Sequence, residues 1–319
     1  MDKRVDYGLT GFIKNKKIEH TSNIGRIIMQ TNHTYTVVTQ AGIFEHVKQI
    51  RTKKEKKREI NSSYVVGDYV EIIKKEEHYF LAKVFDRKNI LSKSESKAKK
   101  SFRRQTVEQL MASNIDHVFI TISSDQRFTL SKLERYILTF TIPNATIDII
   151  ITKSDHEEQT KFLESSIKAS ELNLNVYKTS IYNTNSFNPI KKRITSNSTA
   201  VLLGASGTGK STLINMLADE YQEKIGAVRS DGKGKHTTTY TTIVPILNST
   251  AYIIDTPGIK SISTSRETEE IIFKEILELS KKCNFRDCQH RTEPACAVKE
   301  AVRTGLLSVQ KVERFHKSL

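Results

Sequence analysis

Residues 203–213 have the types and spacing of a loop that binds phosphate groups, and they follow the apolar run 200–203. Backbone N–H groups can surround a polyphosphate only where no Cβ atom blocks the approach, and Gly204, Gly207 and Gly209 give that freedom. Lys210 can reach the outer phosphates, and the Ser211 hydroxyl can ligate the Mg²⁺ that accompanies them. A glycine-rich helix cap is the simpler alternative, but the apolar flanks favour nucleotide binding. The predicted contacts of this loop are Gly204, Ala205, Ser206, Gly207, Thr208, Gly209, Lys210, Ser211 and Thr212.

A second candidate group, Thr152-Lys153-Ser154-Asp155, follows the apolar run 147–151. A carboxylate at this point can accept hydrogen bonds from the N1–H and the exocyclic amine of guanine, a donor pair that adenine does not present. The Lys153 stem can pack along the base. A helix cap at Asp155 is the alternative, and the presence of a phosphate loop in the same chain favours base recognition. The polar end of the run 176–181 could also touch the base.

The third group lies downstream of the phosphate loop. Asp255 ends an apolar run and is suited to hold Mg²⁺ through a water molecule, while Gly258 can offer its N–H to a γ-phosphate. One residue of the threonine segment should complete the metal shell. Thr238 is the predicted ligand, although spacing does not distinguish it from Thr237 or Thr239.

The three cysteines of the chain fall between positions 283 and 296. Three thiolates and one imidazole make a closed tetrahedral set that suits a structural zinc ion and leaves no open position for catalysis. So short a segment could hardly keep its fold without the metal. Free buried thiols are the alternative. The predicted zinc ligands are Cys283, Cys288, His290 and Cys296.

The composition restricts the classes of partner. The chain has 319 residues, a formal net charge of +15 and a pI near 9.5, which suggests a polyanionic partner, with plain solubility as the alternative. No long apolar segment, signal peptide or lipidation motif is evident, so a membrane partner is not expected. The cysteines do not form an even disulfide framework, which favours a reducing cytoplasm.

Five short apolar or alternating runs predict a small β-barrel over residues 21–90. An oligonucleotide-binding (OB) barrel is the first candidate, and spacing alone does not separate it from an SH3-like barrel. The basic segment 48–58 could clamp a phosphate backbone, or it could be a solvated loop. Residues 1–20 are predicted as a mobile leader, and residues 91–110 as a basic linker that also contacts phosphate. The five runs are 25–29, 35–38, 43–47, 69–73 and 80–85.

Residues 111–275 alternate between apolar strand runs and helical spacing. A strand at 115–122, a helix at 130–140 and a strand at 147–151 predict a parallel α/β sheet, whose ligand site lies at the carboxyl ends of its strands. The last segment, 276–319, should hold the zinc ligands and a final helix at about 308–317.

The phosphate loop, the threonine segment and Asp-x-x-Gly occur in the order typical of the translation-factor class of GTPases. The base-reading group, however, precedes them by about fifty residues instead of following them. The chain therefore resembles a circularly permuted GTPase. With its barrel, its Gly-Lys-His-Thr-Thr-Thr segment and its cysteine cluster, it resembles the RsgA (YjeQ/YloQ) family of small-subunit ribosome-assembly GTPases.

The resemblance implies an enzyme that hydrolyses GTP to GDP and phosphate, uses Mg²⁺, carries one structural zinc ion, and binds the small ribosomal subunit through its rRNA during late maturation. The protein would work as a monomer. The resemblance also points to His236 as a catalytic residue, in addition to Lys210. A histidine next to the threonine loop could position water or accept its proton, and a loop histidine without a role is the alternative.

The sequence departs from the family pattern at Thr152, where asparagine is usual, and a hydroxyl can replace only part of the amide's hydrogen bonding. Position 259 is Ile259, where Ras-like proteins have the glutamine that orients water, and the resemblance implies that the family shares this apolar substitution. Two rival functions remain open. One is a nucleic-acid-binding protein with a purely structural nucleotide site, and the other is an ATP-driven enzyme such as a kinase or helicase.

Overall fold

The computed structural model describes residues 6–19, 21–31, 34–50, 64–97, 105–169, 172, 174–218, 240–246, 249–256 and 273–318. The chain divides into two compact units. The first comprises residues 1–128 and 140–262, and the second comprises residues 129–139 and 263–319. Among the described residues, no helix is both long and apolar enough to cross a bilayer.

The N-terminal part of the first unit is a closed five-stranded barrel. Its strands are β1 (Ile24–Gln30), β2 (Tyr35–Thr39), β3 (Gly42–Gln49), β4 (Tyr69–Lys75) and β5 (His78–Val84). They are ordered β1-β2-β3-β5-β4, and β4 pairs back onto β1. The pair β3–β5 is parallel and the others are antiparallel. The five predicted strands are confirmed, and this arrangement is the partly Greek-key barrel of OB-like domains.

The prediction of a mobile leader is wrong for residues 9–16. They form helix α1 (Leu9–Lys16), whose buried Leu9 and Ile13 pack with Ile24 of the barrel. The Phe12 ring stacks on Tyr69 with 3.8 Å between ring centroids. A helix of eight residues is too short to be stable by itself, so these contacts with the barrel account for its formation.

The prediction of a linker at 91–110 is also wrong. Strand β6 (Ile90–Lys97) pairs antiparallel with β7 (Gln105–Ser113). Leu91 and Ala112 are opposite each other and fully buried, so they anchor the base of this hairpin. The backbone ladder needs no apolar run, which explains why the basic composition did not indicate strands.

The nucleotide-binding part of the first unit is a six-stranded section of sheet. Its order is β10-β9-β8-β11-β13-β12, and only β12 runs antiparallel to its neighbour. The carboxyl ends of the five parallel strands therefore meet at one edge, as predicted. The strands are β8 (His117–Ser123), β9 (Thr146–Thr152), β10 (Val176–Lys178), β11 (Thr199–Leu203), β12 (Thr241–Pro245) and β13 (Tyr252–Asp255).

The barrel and this section form one continuous sheet, because β12 pairs with β1 through Met29 and Gln30. Arg26 of β1 is fully buried beside the junction. Its guanidinium donates to the carbonyl oxygens of Tyr7 (2.8 Å) and Gly67 (3.3 Å) and to Thr199 Oγ1 (2.9 Å). Since Thr199 begins β11, this one side chain joins the leader, the barrel and the strand that precedes the phosphate loop.

Among the described residues between 130 and 218, the α-helices are α2 (Leu130–Phe140), α3 (Glu157–Lys168), α4 (Asn188–Arg193) and α5 (Lys210–Ala218). Helix α2 confirms the prediction at 130–140, and most of it belongs to the second unit. The core around α4 and α5 includes Phe119, Ile150, Ile190, Leu202, Leu213, Leu217 and Ile253.

The second unit also contains α6 (Lys274–Ser280), α7 (Ala297–Arg303) and α8 (Val309–Ser318), and α8 confirms the predicted final helix. Their apolar faces share one small core, in which the Phe273 and Phe315 rings meet edge to face. The core consists of Phe273, Ile276, Cys296, Val298, Ala301, Leu307, Val312 and Phe315.

Candidate guanine nucleotide site and metal centre

The phosphate loop lies where the sequence predicts it, between the fully buried strand β11 and helix α5. Gly207 and Gly209 have φ angles of 79° and 81°, which favour glycine. A Cβ atom at Gly204 would lie 2.2 Å from Thr121 Oγ1, so only glycine lets the loop pass this close to β8. The glycines thus serve close packing as well as access to phosphate.

Threonine hydroxyls from neighbouring strands support the loop from behind. Thr121 Oγ1 donates to the Leu203 carbonyl at 2.9 Å and lies 3.0 Å from Thr208 Oγ1. Thr208 Oγ1 can in turn donate to the Ala205 carbonyl, which is 2.9 Å away. From the end of β9, Thr152 Oγ1 donates to the Thr208 carbonyl at 2.8 Å. These bonds fix the loop backbone before any ligand arrives.

Lys210 is buried inside the loop, where its Nζ donates to the carbonyl oxygens of Gly204 (2.9 Å) and Ala205 (2.8 Å). Burial lowers the pKa of Lys210, and the negative charge of Asp255 opposes this effect. A phosphate group bound in the loop would supply the anion that the buried ammonium needs.

Asp255 ends β13 and is buried, opposite Leu202 of β11 in the parallel register. This register places Asp255 at the same sheet edge as the phosphate loop. The next residue, Thr256, donates from Oγ1 to the Leu202 carbonyl at 3.2 Å, which ties the end of β13 to β11. The predicted site residues His236, Thr238 and Gly258 lie outside the described residues.

The base-reading group follows β9, and Lys153 there has a φ angle of 54°. Asp155 Oδ1 accepts a hydrogen bond from Ser180 Oγ at 2.6 Å. This bond, more than any other cause, lowers the pKa of Asp155, so the carboxylate is ionised at neutral pH. Lys153 Nζ pairs with Asp125, which holds the lysine stem beside the group.

A cavity of about 290 Å³ joins the base-reading group to the phosphate loop. Asp155 and Gly209 line the same cavity although the sequence separates them by about fifty residues. The segment after β10 closes one side. The lining residues are Thr152, Lys153, Asp155, His156, Thr179, Ser180, Ile181, Tyr182, Phe187, Gly209, Thr212 and Leu213. The rotated order of the segments therefore still produces one site.

The four predicted zinc ligands lie together in the second unit, with all ligand atoms within 4.8 Å of one another. Sulfurs bound about 2.3 Å from a tetrahedral zinc ion are about 3.8 Å apart, and the Sγ atoms of Cys283 and Cys296 are 3.8 Å apart. His290 Nδ1 lies 3.3 Å from the sulfurs of Cys288 and Cys296 and 3.6 Å from that of Cys283. These dimensions fit a single tetrahedral metal ion.

Two side chains outside the ligand set shape this centre. Ser280 Oγ lies 2.8 Å from His290 Nε2 and donates to the Ile276 carbonyl at 2.7 Å, so it can accept a hydrogen bond from Nε2–H, which leaves Nδ1 free for metal. The Glu293 carboxylate accepts from the N–H groups of Gln289, Arg291 and Thr292. Together with its own N–H, these bonds lower the pKa of Glu293 to about 2.

Replacing Ser280 with alanine should weaken metal binding without removing a ligand. His290 Nε2 would lose its partner, and the loss of such an outer-shell hydrogen bond commonly reduces metal affinity about 10-fold to 100-fold. Competition with a chromophoric chelator measures the affinity of Ser280→Ala for Zn²⁺. Thr292→Ala, a change at an exposed position near His290 in the sequence, is the matched control. Equal zinc affinities in the two variants would contradict this assignment.

The family model described as RsgA GTPase matches residues 84–265. The chain belongs to the RsgA GTPase family. It is 33% identical over 314 residues to the small ribosomal subunit biogenesis GTPase RsgA 1 of Listeria monocytogenes, covering 98% of this chain and 87% of the relative. Against the RsgA of Phocaeicola vulgatus it is 33% identical over 301 residues, which is 91% of this chain and 94% of the relative.

Two solved structures share the fold. YjeQ from Thermotoga maritima matches with a TM-score of 0.57 and 21% identity over 93% of this chain and 98% of that one. YloQ, described as a circularly permuted GTPase, matches with a TM-score of 0.53 and 23% identity over 94% and 95%. The predictions of a permuted GTPase fold and of a GTP-hydrolysing enzyme are confirmed. As an RsgA GTPase, the chain uses a guanine nucleotide with Mg²⁺.

Several residues of the site were not predicted. Thr121 and Ser280 act through hydrogen bonds to residues far away in the sequence or on another element, and neither belongs to a recognisable pattern. Ser180 was noted only as part of a polar strand end. Its position after β10, at the same sheet edge as Asp155, was the signal that could have identified it.

Proposed function

We propose that this RsgA GTPase binds the small ribosomal subunit through its rRNA and hydrolyses GTP to GDP and phosphate during late subunit maturation. The observation that carries the proposal is the single cavity lined by both Asp155 and Gly209. The relatives named small ribosomal subunit biogenesis GTPases support the choice of subunit. This function places the protein in the cytoplasm, where we propose that it acts as a monomer.

The base and the phosphates of the nucleotide each have partners in the proposed site. Asp155, oriented by Ser180, accepts from the guanine N1–H and amine, and the Lys153 stem packs on the base. Ser154 belongs to the turn that connects these two residues. The loop residues Gly204 to Thr212 surround the phosphates with N–H groups, and the Lys210 ammonium neutralises the charge on the transferred group.

The residues at this edge fit Mg²⁺, because a hard cation prefers oxygen ligands. The Ser211 hydroxyl lies at the start of α5, after β11, and the Asp255 carboxylate ends the adjacent strand β13. An ion held by these residues would supply positive charge that offsets the negative charge of the phosphates. Thr238 completes the shell in this proposal, Gly258 binds the γ-phosphate through its N–H, and His236 positions the attacking water.

The barrel at 21–90 and the zinc-bearing segment at 276–319 are the proposed RNA-binding parts, and in the sequence they precede and follow the GTPase part at 111–275. The zinc-bearing segment exposes Arg286, Arg291 and Lys299 near the ligand cluster. Their charges, with the overall excess of +15, suit a phosphate backbone. We assign one structural Zn²⁺ to Cys283, Cys288, His290 and Cys296, because three thiolates and one imidazole are a zinc-type donor set.

Steady-state GTP turnover with and without purified small subunits tests this function. We expect small subunits to raise the rate and large subunits to leave it unchanged. Raising the salt from 50 to 200 mM should abolish most of the stimulation, since six phosphate contacts already predict about a thousandfold loss of affinity. Equal turnover with either subunit would reject the proposed partner.

A further inference from the structure

The hydrogen-bond donors of the cavity determine which edge of a purine it can read. Guanine presents N1–H and the amine on its Watson–Crick edge and the acceptor N7 on its imidazole ring. The imidazole ring also carries the ribose and phosphates, so N7 lies on the side of the base nearer to the phosphate loop. In this cavity, Thr152 is the residue of the base-reading group closest to that loop. A Cβ atom added to Gly209 would lie 3.5 Å from Thr152 Oγ1.

Thr152 has one hydroxyl proton. Its Oγ1 lies 2.8 Å from the Thr208 carbonyl and 3.3 Å from the Ile122 carbonyl, and both are acceptors. A hydroxyl donates once, whereas a carboxamide in the same place has two N–H donors and could serve a carbonyl and a ligand together. The Thr152 proton is therefore already used within the protein.

Ser180 is committed in the same way, since its hydroxyl donates to Asp155 Oδ1 at 2.6 Å. That bond leaves Oδ2 and the second lone pair of Oδ1 to accept from the two donors of the base. Lys153 Nζ is paired with the Asp125 carboxylate. These three commitments leave the carboxylate of Asp155 as the main polar contact and favour recognition of the Watson–Crick edge.

We infer that this site recognises guanine by its Watson–Crick edge alone and leaves N7 without a donor. Thr152 acts as a positioning residue that holds the phosphate loop through the Thr208 carbonyl. The inference rests on the proposed guanine site at Asp155 and adds that this site does not recognise N7 of the base.

The test is calorimetric binding of GDP, 7-deaza-GDP, IDP and ADP to the full-length wild-type protein with Mg²⁺. Replacing N7 by C–H preserves the Watson–Crick edge, so we expect 7-deaza-GDP to bind within fivefold of GDP. A donor deprived of its acceptor would cost about 5-fold to 100-fold. IDP, which lacks the amine, should bind at least about tenfold more weakly than GDP.

The outcomes separate the two claims. If GDP binds much more tightly than ADP and IDP, but 7-deaza-GDP is weaker than GDP by fivefold or more, the inference is wrong and the guanine site stands. If GDP has no advantage over ADP, the guanine site itself is wrong, and the inference falls with it.

Variants at Thr152 test the positioning role. Thr152→Val removes the hydroxyl at nearly constant shape and should weaken GDP and 7-deaza-GDP by the same factor, about 5-fold to 20-fold. Thr152→Ser keeps the hydroxyl and should restore both affinities to within about twofold. A Thr152→Val variant that weakens GDP but spares 7-deaza-GDP would show that the hydroxyl contacts N7, and would overturn the inference.

Discussion

Lys210→Ala should reduce kcat/KM for GTP hydrolysis by at least about a hundredfold, because the variant loses the buried ammonium that neutralises charge on the transferred phosphoryl group. Nζ donates to the carbonyl oxygens of Gly204 and Ala205, and bound phosphates would replace these oxygens as partners of the ammonium. Multiple-turnover release of phosphate measures the effect. The same experiment distinguishes an enzyme from a protein that holds a nucleotide only for structural reasons.

Lys178→Ala is a suitable control, since this lysine of β10 forms a half-exposed ion pair with Glu164 of helix α3. It should retain wild-type turnover. The thermal unfolding temperatures of both variants show whether Lys210→Ala lowers catalysis without destabilising the fold. Wild-type kcat/KM in a folded Lys210→Ala protein would show that the loop does not carry out the chemistry.

Asp155→Asn should lower the affinity for GTP by about a hundredfold or more and make XTP the preferred nucleotide. A site built around a hydrogen-bonded polar group rejects a ligand that leaves that group unpaired. The asparagine can still accept from Ser180 through Oδ1, so its NH₂ group would replace Oδ2 and face the carbonyl of xanthine where the carboxylate faced the amine of guanine. Competition between GTP, XTP and ATP measures the change.

Glu157→Gln removes one negative charge from an exposed position two residues downstream and should not alter nucleotide preference. An unchanged preference for GTP in Asp155→Asn would mean that this carboxylate does not read the base. A preference for ATP in the wild-type protein would favour the kinase or helicase alternative instead.

The local parts of the site could be predicted from the sequence because their chemistry is written in consecutive residues. The glycines and Lys210 form a recognisable phosphate loop between a strand and a helix, and the cluster from Cys283 to Cys296 contains a complete ligand set. The convergence of Asp155 with this loop followed from one further rule, that parallel strands present their carboxyl ends at one edge. The cavity that Asp155 and Gly209 share agrees with that rule.

Other features depend on partners far away in the sequence. Helix α1 forms because Phe12 stacks on Tyr69. Strands β6 and β7 form a hairpin through backbone hydrogen bonds, which do not depend on the basic side chains and cannot be predicted from them. Arg26 resembles any basic residue in a strand, yet it is buried at the junction of the barrel and the sheet. Composition indicates none of these contacts, because each is set by tertiary packing.

The central claim is that segments in rotated order enclose one guanine nucleotide, and a crystal structure of the complex with GDP and Mg²⁺ tests it most directly. The account predicts the Asp155 carboxylate within about 3 Å of guanine N1 and of its amine nitrogen, and the diphosphate surrounded by N–H groups of residues 207–211. A diphosphate held in the loop with its base away from Asp155, or a nucleotide bound elsewhere on the protein, would contradict it.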